Sequence, residues 1–171
     1  MLKTSIRAII FIAAFITLSA ILAYSSTVQL SQSEAQSLSQ TVEGINGTVL
    51  GIFENNVQIA LLEFIPGFGP VYGAYSSYGT GLALAALAES NSTVGISGFE
   101  LFLVLLLTPI FWIEFSCYSL AVEESLAVII SFKNHDFRSR EWKWLVCSIL
   151  FVVATLFVSA RLEVDLINFL G

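Results

Sequence analysis

Three glutamates, Glu54, Glu63 and Glu114, stand inside stretches otherwise almost free of charge. A carboxylate in an apolar medium is costly, so it turns toward other helices, water or a partner, and each marks a candidate functional site. Glu54 is followed directly by Asn55 and Asn56, and Glu114 lies in FWIEFSCYSL, five residues after Pro109. Tyr118, Ala121 and Ser125 follow Glu114 at spacings of four, seven and eleven, a partly polar stripe on one side of a helix. Glu54, Asn55, Asn56 and Glu114 therefore form a candidate intramembrane polar cluster. Three chemistries fit it: a hydrogen-bonded Glu114 holding helices together through Asn55 or Asn56, a proton- or cation-linked path, or the binding of a partner subunit. Glu63 reads as close to a cytoplasmic turn and within reach of water.

Signatures of catalysis are missing. There is no nucleophile elbow, no Gly-rich phosphate loop and no HExxH, so the expectation is a protein that is not an enzyme. Cys117 and Cys147 lie within apolar runs, where a thiol acts as a small hydrophobe, and the single histidine, His135, has no Cys or His near it. No disulfide, metal site or cofactor is expected.

These residues must be positioned by membrane helices. Apolar residues make up 56% of the chain and charged ones 12%, and the mean hydropathy is +0.84, which excludes an ordinary soluble domain. A helix crosses the hydrocarbon layer in about 20 residues. The runs then predict an all-α, polytopic protein with about five transmembrane helices, at about 5–24, 48–65, 70–88, 99–131 and 142–160. The first run, Ile6 to Ala23, spans 18 residues. A signal-peptide core has roughly 7–15, so it reads as a retained anchor.

Six of the seven Lys and Arg fall in two places, Lys3 and Arg7, and Lys133, Arg138, Arg140 and Lys143. The positive-inside rule puts both places in the cytoplasm, with the N-terminus inside and the C-terminus outside a cell membrane. All six read as solvated charges, and no basic patch is left for nucleic acid. Trp142 and Trp144 then mark the inner interface. The Ser- and Gln-rich segment 25–48 lies outside and carries an amphipathic pattern at Leu38, Val42, Ile45 and Val49, interrupted by Gly44 and Gly47. Asn46-Gly-Thr and Asn91-Ser-Thr fit the glycosylation pattern and fall in segments placed outside. The tail 161–171 puts Leu162, Leu166, Phe169 and Leu170 on one face, as a helix lying on the outer surface would.

Two helix breaks are written into the chain. In PGFGP, Pro66, Gly67, Gly69 and Pro70 make either a tight cytoplasmic hairpin or a turn that dips into the membrane. Phe99 to Phe132 is apolar for 34 residues, or about 50 Å as one helix. Pro109 should kink or break it, with Glu123 and Glu124 on an end that projects into the cytoplasm. Gly73, Ser77 and Gly81 recur every four residues, a small-residue face for close helix packing.

The block NNVQIALLEFIPGFGPVYGAYSSYGTGLALAA resembles the stage II sporulation protein M family, multi-pass membrane proteins of bacteria and archaea. The family is similar in its paired asparagines opening the second helix, its Gly- or Pro-Gly-containing turn and its later Gly-rich helix. A second hallmark is a proline followed five residues later by a glutamate, typically in a Pro-His-Gly context. Pro109 and Glu114 keep that spacing, while Ile110 and Phe111 stand where the His and Gly would be. The resemblance covers about residues 48–131 and is strongest to archaeal members, whose turns tend to carry the Pro-Gly-x-Gly-Pro form. It implies a protein that works with partners, as members do beside peptidoglycan-degrading proteins during engulfment. It also implies that Asn55 and Asn56 bond backbone freed near the Pro109 break, and that PGFGP folds helices 2 and 3 into a hairpin beside Glu114. The expected role is a scaffold or subunit of an envelope membrane complex, or a homo-oligomer, in contact with membrane lipid. The alternative is a small transporter or channel in which Glu114, with Glu54, lines a proton- or cation-linked path and the broken segments at Pro66 and Pro109 form the site.

Overall fold

In an apolar medium a backbone can satisfy its own N–H and C=O groups only by hydrogen bonding within the protein, and the apolar runs of this chain fold as helices. The computed structural model describes residues 3–43, 47–90, 95–133 and 139–170, and among these it is all-helical, without strands. The helices are α1 (Thr4–Ser25), α2 (Gln32–Glu43), α3 (Val49–Glu63), α4 (Gly69–Ser90), α5 (Gly98–Leu106), α6 (Pro109–Lys133) and α7 (Ser139–Leu170). The sequons at Asn46 and Asn91 lie outside the described residues, as do His135 and Arg138.

Among the described residues three helices, α1, α6 and α7, are long and apolar enough to cross a membrane. α3 and α5, at 15 and 9 residues, would reach only about 22 and 14 Å. α4 has 22 residues, but Tyr, Ser, Thr and Gly fill its middle. α6 is the centre of the fold: 67% of its apolar window is buried, against 11% for α1. It packs on α1, α3, α4, α5 and α7. One core joins Ala60 and Phe64 of α3 to Ala121 and Val128 of α6 and Val152 and Leu156 of α7. The other joins Leu18 and Leu22 of α1 to Phe102 of α5 and Phe111 and Phe115 of α6.

The 34-residue apolar stretch is two helices. Pro109 has no N–H to lose at the first position of α6, and Thr108 caps the step: its hydroxyl donates to the Leu105 carbonyl at 2.7 Å and accepts from the Phe111 N–H at 3.4 Å. The Trp112 indole N–H donates to the freed Leu106 carbonyl at 2.9 Å. Backbone at this break is thus satisfied by Thr108 and Trp112, a task the family resemblance had implied for Asn55 and Asn56. α7 also departs from expectation, for it does not stop near residue 160 but runs through the tail to Leu170. No Pro or Gly interrupts 139–170, and Arg161 pairs with Asp165 one turn on, at 3.1 Å.

The PGFGP turn joins α3 to α4 and is held from inside. Gly67 has φ +79°, a conformation that disfavours a side chain. Pro70 falls in the first turn of α4, where its missing donor costs nothing. Ile65, Pro66, Gly67 and Phe68 are exposed. Ser125 of α6, fully buried, donates to the Ile65 carbonyl at 2.7 Å and accepts from the Gly67 N–H at 3.1 Å. Replacing Ser125 with alanine should cost about 1–2 kcal/mol, the worth of two such bonds. Thermal unfolding in detergent would show it, together with faster amide exchange at Gly67; unchanged exchange there would mean that the turn holds itself.

Candidate functional site

Buried polar groups gather at three levels of the fold, each involving or adjoining α6. At the first, α3, α6 and α7 meet. The Asn56 amide donates to Glu114 Oε1 at 2.7 Å, and the Ser159 hydroxyl donates to the same oxygen at 3.1 Å. Asn55 donates its own amide to Asn56 Oδ1 at 3.2 Å, orienting the residue that holds Glu114. Asn56 is buried. The helical repeat explains the rest of the arrangement, since two positions along a helix is more than half a turn: Asn56 faces α6 while Glu54 is exposed and stands apart from the cluster. Of the four residues singled out from sequence, three come together.

At the second level Glu63 ends α3 with no solvent exposure, so it does not reach water at the turn. Ser76 of α4 donates to its Oε1 at 3.2 Å, and Oε2 has no hydrogen-bond partner. Gly73 makes room here, because a Cβ on it would lie 3.3 Å from that carboxylate and 3.1 Å from Val122. Gly69 and Gly81 lie closer still to their neighbours, and all three glycines, with Ser77, are buried, as a packing face requires.

The third level overturns the expectation for Glu123 and Glu124. Neither projects into solvent: they are 3% and 2% exposed. Arg7 Nη1 of α1 lies 3.2 Å from Glu123 Oε1 and 2.8 Å from Glu124 Oε1, and Arg7 is itself only 15% exposed rather than solvated. Ser148 of α7 donates to Glu124 Oε1 at 2.8 Å. A guanidinium taken out of water needs carboxylates beside it, and α1 and α6 run together closely enough to supply them. Sequence reasoning missed this pairing because the positive-inside rule accounts for Arg7 alone; the signal was two adjacent glutamates embedded between Leu120 and Leu126 with no nearby cation in sequence.

Comparison of this chain with family models, with curated proteins and with solved structures finds no match. What the arrangement can do follows from its own chemistry. Among the described residues no three of His, Cys, Asp and Glu converge as a metal site would need. Each buried carboxylate instead ties different helices together: α3 to α6 and α7, α3 to α4, and α1 to α6 and α7. Such groups fix the mutual position of helices, and a carboxyl with an oxygen to spare can also hold a proton or a cation.

Proposed function

We propose that this chain is a non-enzymatic multi-pass membrane protein that serves as a scaffold or subunit of an envelope membrane complex, with a protein partner or a second copy covering α4. In this reading there are about five spans, α3 and α4 forming one hairpin and α5 with α6 one broken span. The N-terminus is cytoplasmic and the C-terminus outside. The carrying observation is the outward side of α4. Its inward side packs through Gly73, Ser77 and Gly81, while Tyr75, Tyr78, Gly79 and Thr80 are exposed opposite, with Tyr75 at 71%. Phenol groups midway along a span have no hydrogen-bond partner in lipid tails, whereas tyrosine beside glycine suits a close protein contact. The resemblance of residues 48–131 to a family that works with partners points the same way.

The test is mass spectrometry of what co-purifies when the chain is extracted gently from its native membrane, before and after changing Tyr75 and Tyr78 to leucine. A stoichiometric companion or a homo-oligomer is expected, and the double substitution should release it while the chain stays inserted. Recovery of the unaltered protein as a bare monomer would sink the scaffold reading.

A second reading, a small transporter or channel, is favoured by Glu63, a carboxylate without solvent exposure that keeps one oxygen unpartnered. Glu63→Gln and Glu114→Gln, made separately, distinguish the two. A scaffold should assemble normally with Gln, which still accepts from Ser76 or Asn56, whereas a proton path should lose flux in liposomes at the carboxyl it uses while assembly is intact.

A further inference from the structure

α1 and α4 touch at one end and part at the other. A Cβ on Gly81 would fall against the Leu22 carbonyl and the Ser25 side chain, so the two helices meet there. Toward Pro70 they diverge over α6 and leave a groove of about 340 Å³. Ile10, Ala14 and Leu18 line it from α1, Ala74 from α4, and Val122 and Leu126 from α6; Thr17 brings its one hydroxyl. Lys3, at the N-cap of α1, and Lys133, the last residue of α6, lie beyond its wide end. Lys3 precedes Ile10, and Lys133 follows Leu126, by seven residues. That is close to two turns, so each lysine returns to the side of its helix that lines the groove, about 10 Å further on. Both lysines are exposed, and among the described residues neither side chain has a hydrogen bond or an ion pair. Arg7, between Lys3 and Ile10, is committed to Glu123 and Glu124, and no acidic residue falls in the first turn of α1 or of α4.

We propose that this groove seats one hydrocarbon chain of a phospholipid with an anionic headgroup, which Lys3 and Lys133 hold. Charge decides the occupant. An apolar slot closed at one end and flanked at the other by two unpaired cations matches a hydrocarbon chain that carries its negative charge at the outer end. Lysine stems lie along apolar surface while the ammonium stays at the headgroup level. The positive-inside reading puts both lysines in the cytoplasmic leaflet, where anionic lipids attract such residues. The inference rests on α1 and α6 spanning the membrane, not on the scaffold role, and it leaves the exposed tyrosines of α4 to a partner.

Native mass spectrometry of the full chain in detergent, offered phosphatidylglycerol and phosphatidylcholine of identical chains, tests it. A lysine near an anionic headgroup adds roughly fivefold to binding, so phosphatidylglycerol should be retained about 25-fold over phosphatidylcholine. Lys3→Gln combined with Lys133→Gln should bring that ratio close to one. Ala13→Phe fills the groove from an exposed position and should remove most of the retained phosphatidylglycerol although both lysines remain. In the unaltered protein, phosphatidylglycerol with a photoreactive group midway along one chain should crosslink to groove residues of α1, α4 and α6, and unlabelled phosphatidylglycerol should compete. Equal retention of the two lipids, a preference that survives the double lysine change, or retention indifferent to Ala13→Phe overturns the proposal. So do crosslinks that fall on α7 as often as on the groove, or a second copy of the chain found in the groove in place of lipid. Membrane insertion is read separately by alkaline extraction, so a chain that inserts without any headgroup preference defeats this inference alone.

Discussion

Gly81→Ala should destabilise the protein by at least the upper end of the about 1–3 kcal/mol typical of overpacking. The added methyl carbon would fall inside contact distance of the Leu22 carbonyl and the Ser25 hydroxyl, so α1 and α4 would have to move apart. Neither neighbour can yield, because one is helix backbone and the other is fully buried and bonded to the Ile21 and Leu22 carbonyls. Gly79, two residues earlier in the same helix, is the control. Nothing lies within 4 Å of a methyl placed there, so Gly79→Ala should leave stability unchanged or raise it by up to about 1 kcal/mol through helix propensity. Thermal unfolding in one detergent compares them directly, and equal shifts for the two variants would refute the close approach of α1 and α4.

Arg7→Met is the other change with a large expected effect. It removes the guanidinium 2.8 Å from Glu124 and 3.2 Å from Glu123 while leaving both carboxylates buried. Breaking a buried pair from one side costs about 3–5 kcal/mol, because the remaining charge has lost its water and its partner. Glu124→Gln added to Arg7→Met should recover part of that loss by removing one of the two charges. Lys3→Met, at an exposed position one turn earlier, should stay within about 0.5 kcal/mol. If Arg7 and Lys3 behaved alike in denaturation, Arg7 would be a solvated interface cation after all.

How much of this was legible in the sequence depends on how far apart the interacting residues are. The breaks at Pro66 and Pro109 are local chemistry, and a proline followed by a partly polar stripe was enough to point α6 toward α3. The bond between Asn56 and Glu114 follows from that stripe, though which asparagine would make it required the helix phase. Ser125, the last member of the stripe, was visible as a polar position but not as the clamp on the PGFGP turn, since that contact joins residues 60 apart. Glu63 and Arg7 were misplaced for the same reason. Each has neighbours in sequence that suggest water, and each is buried by helices arriving from elsewhere in the chain. The unbroken run of α7 was readable in principle, because 139–170 contains no helix breaker; the end of the apolar run near 160 suggested a boundary that the backbone does not make.

The span between Arg7 and its carboxylates has a consequence for biosynthesis. The two ends of that ion pair are 116 residues apart, so a ribosome adding about 5–20 residues per second needs roughly 6–23 s to supply the second after the first. During that interval α1 exists without Glu123 and Glu124, and the long stem of Arg7 allows its guanidinium to be held toward water. Only when α6 emerges can the cation be drawn inward. α1 is therefore fixed in place only after α6 has been made, and a nascent chain halted before Glu123 should leave α1 loosely placed.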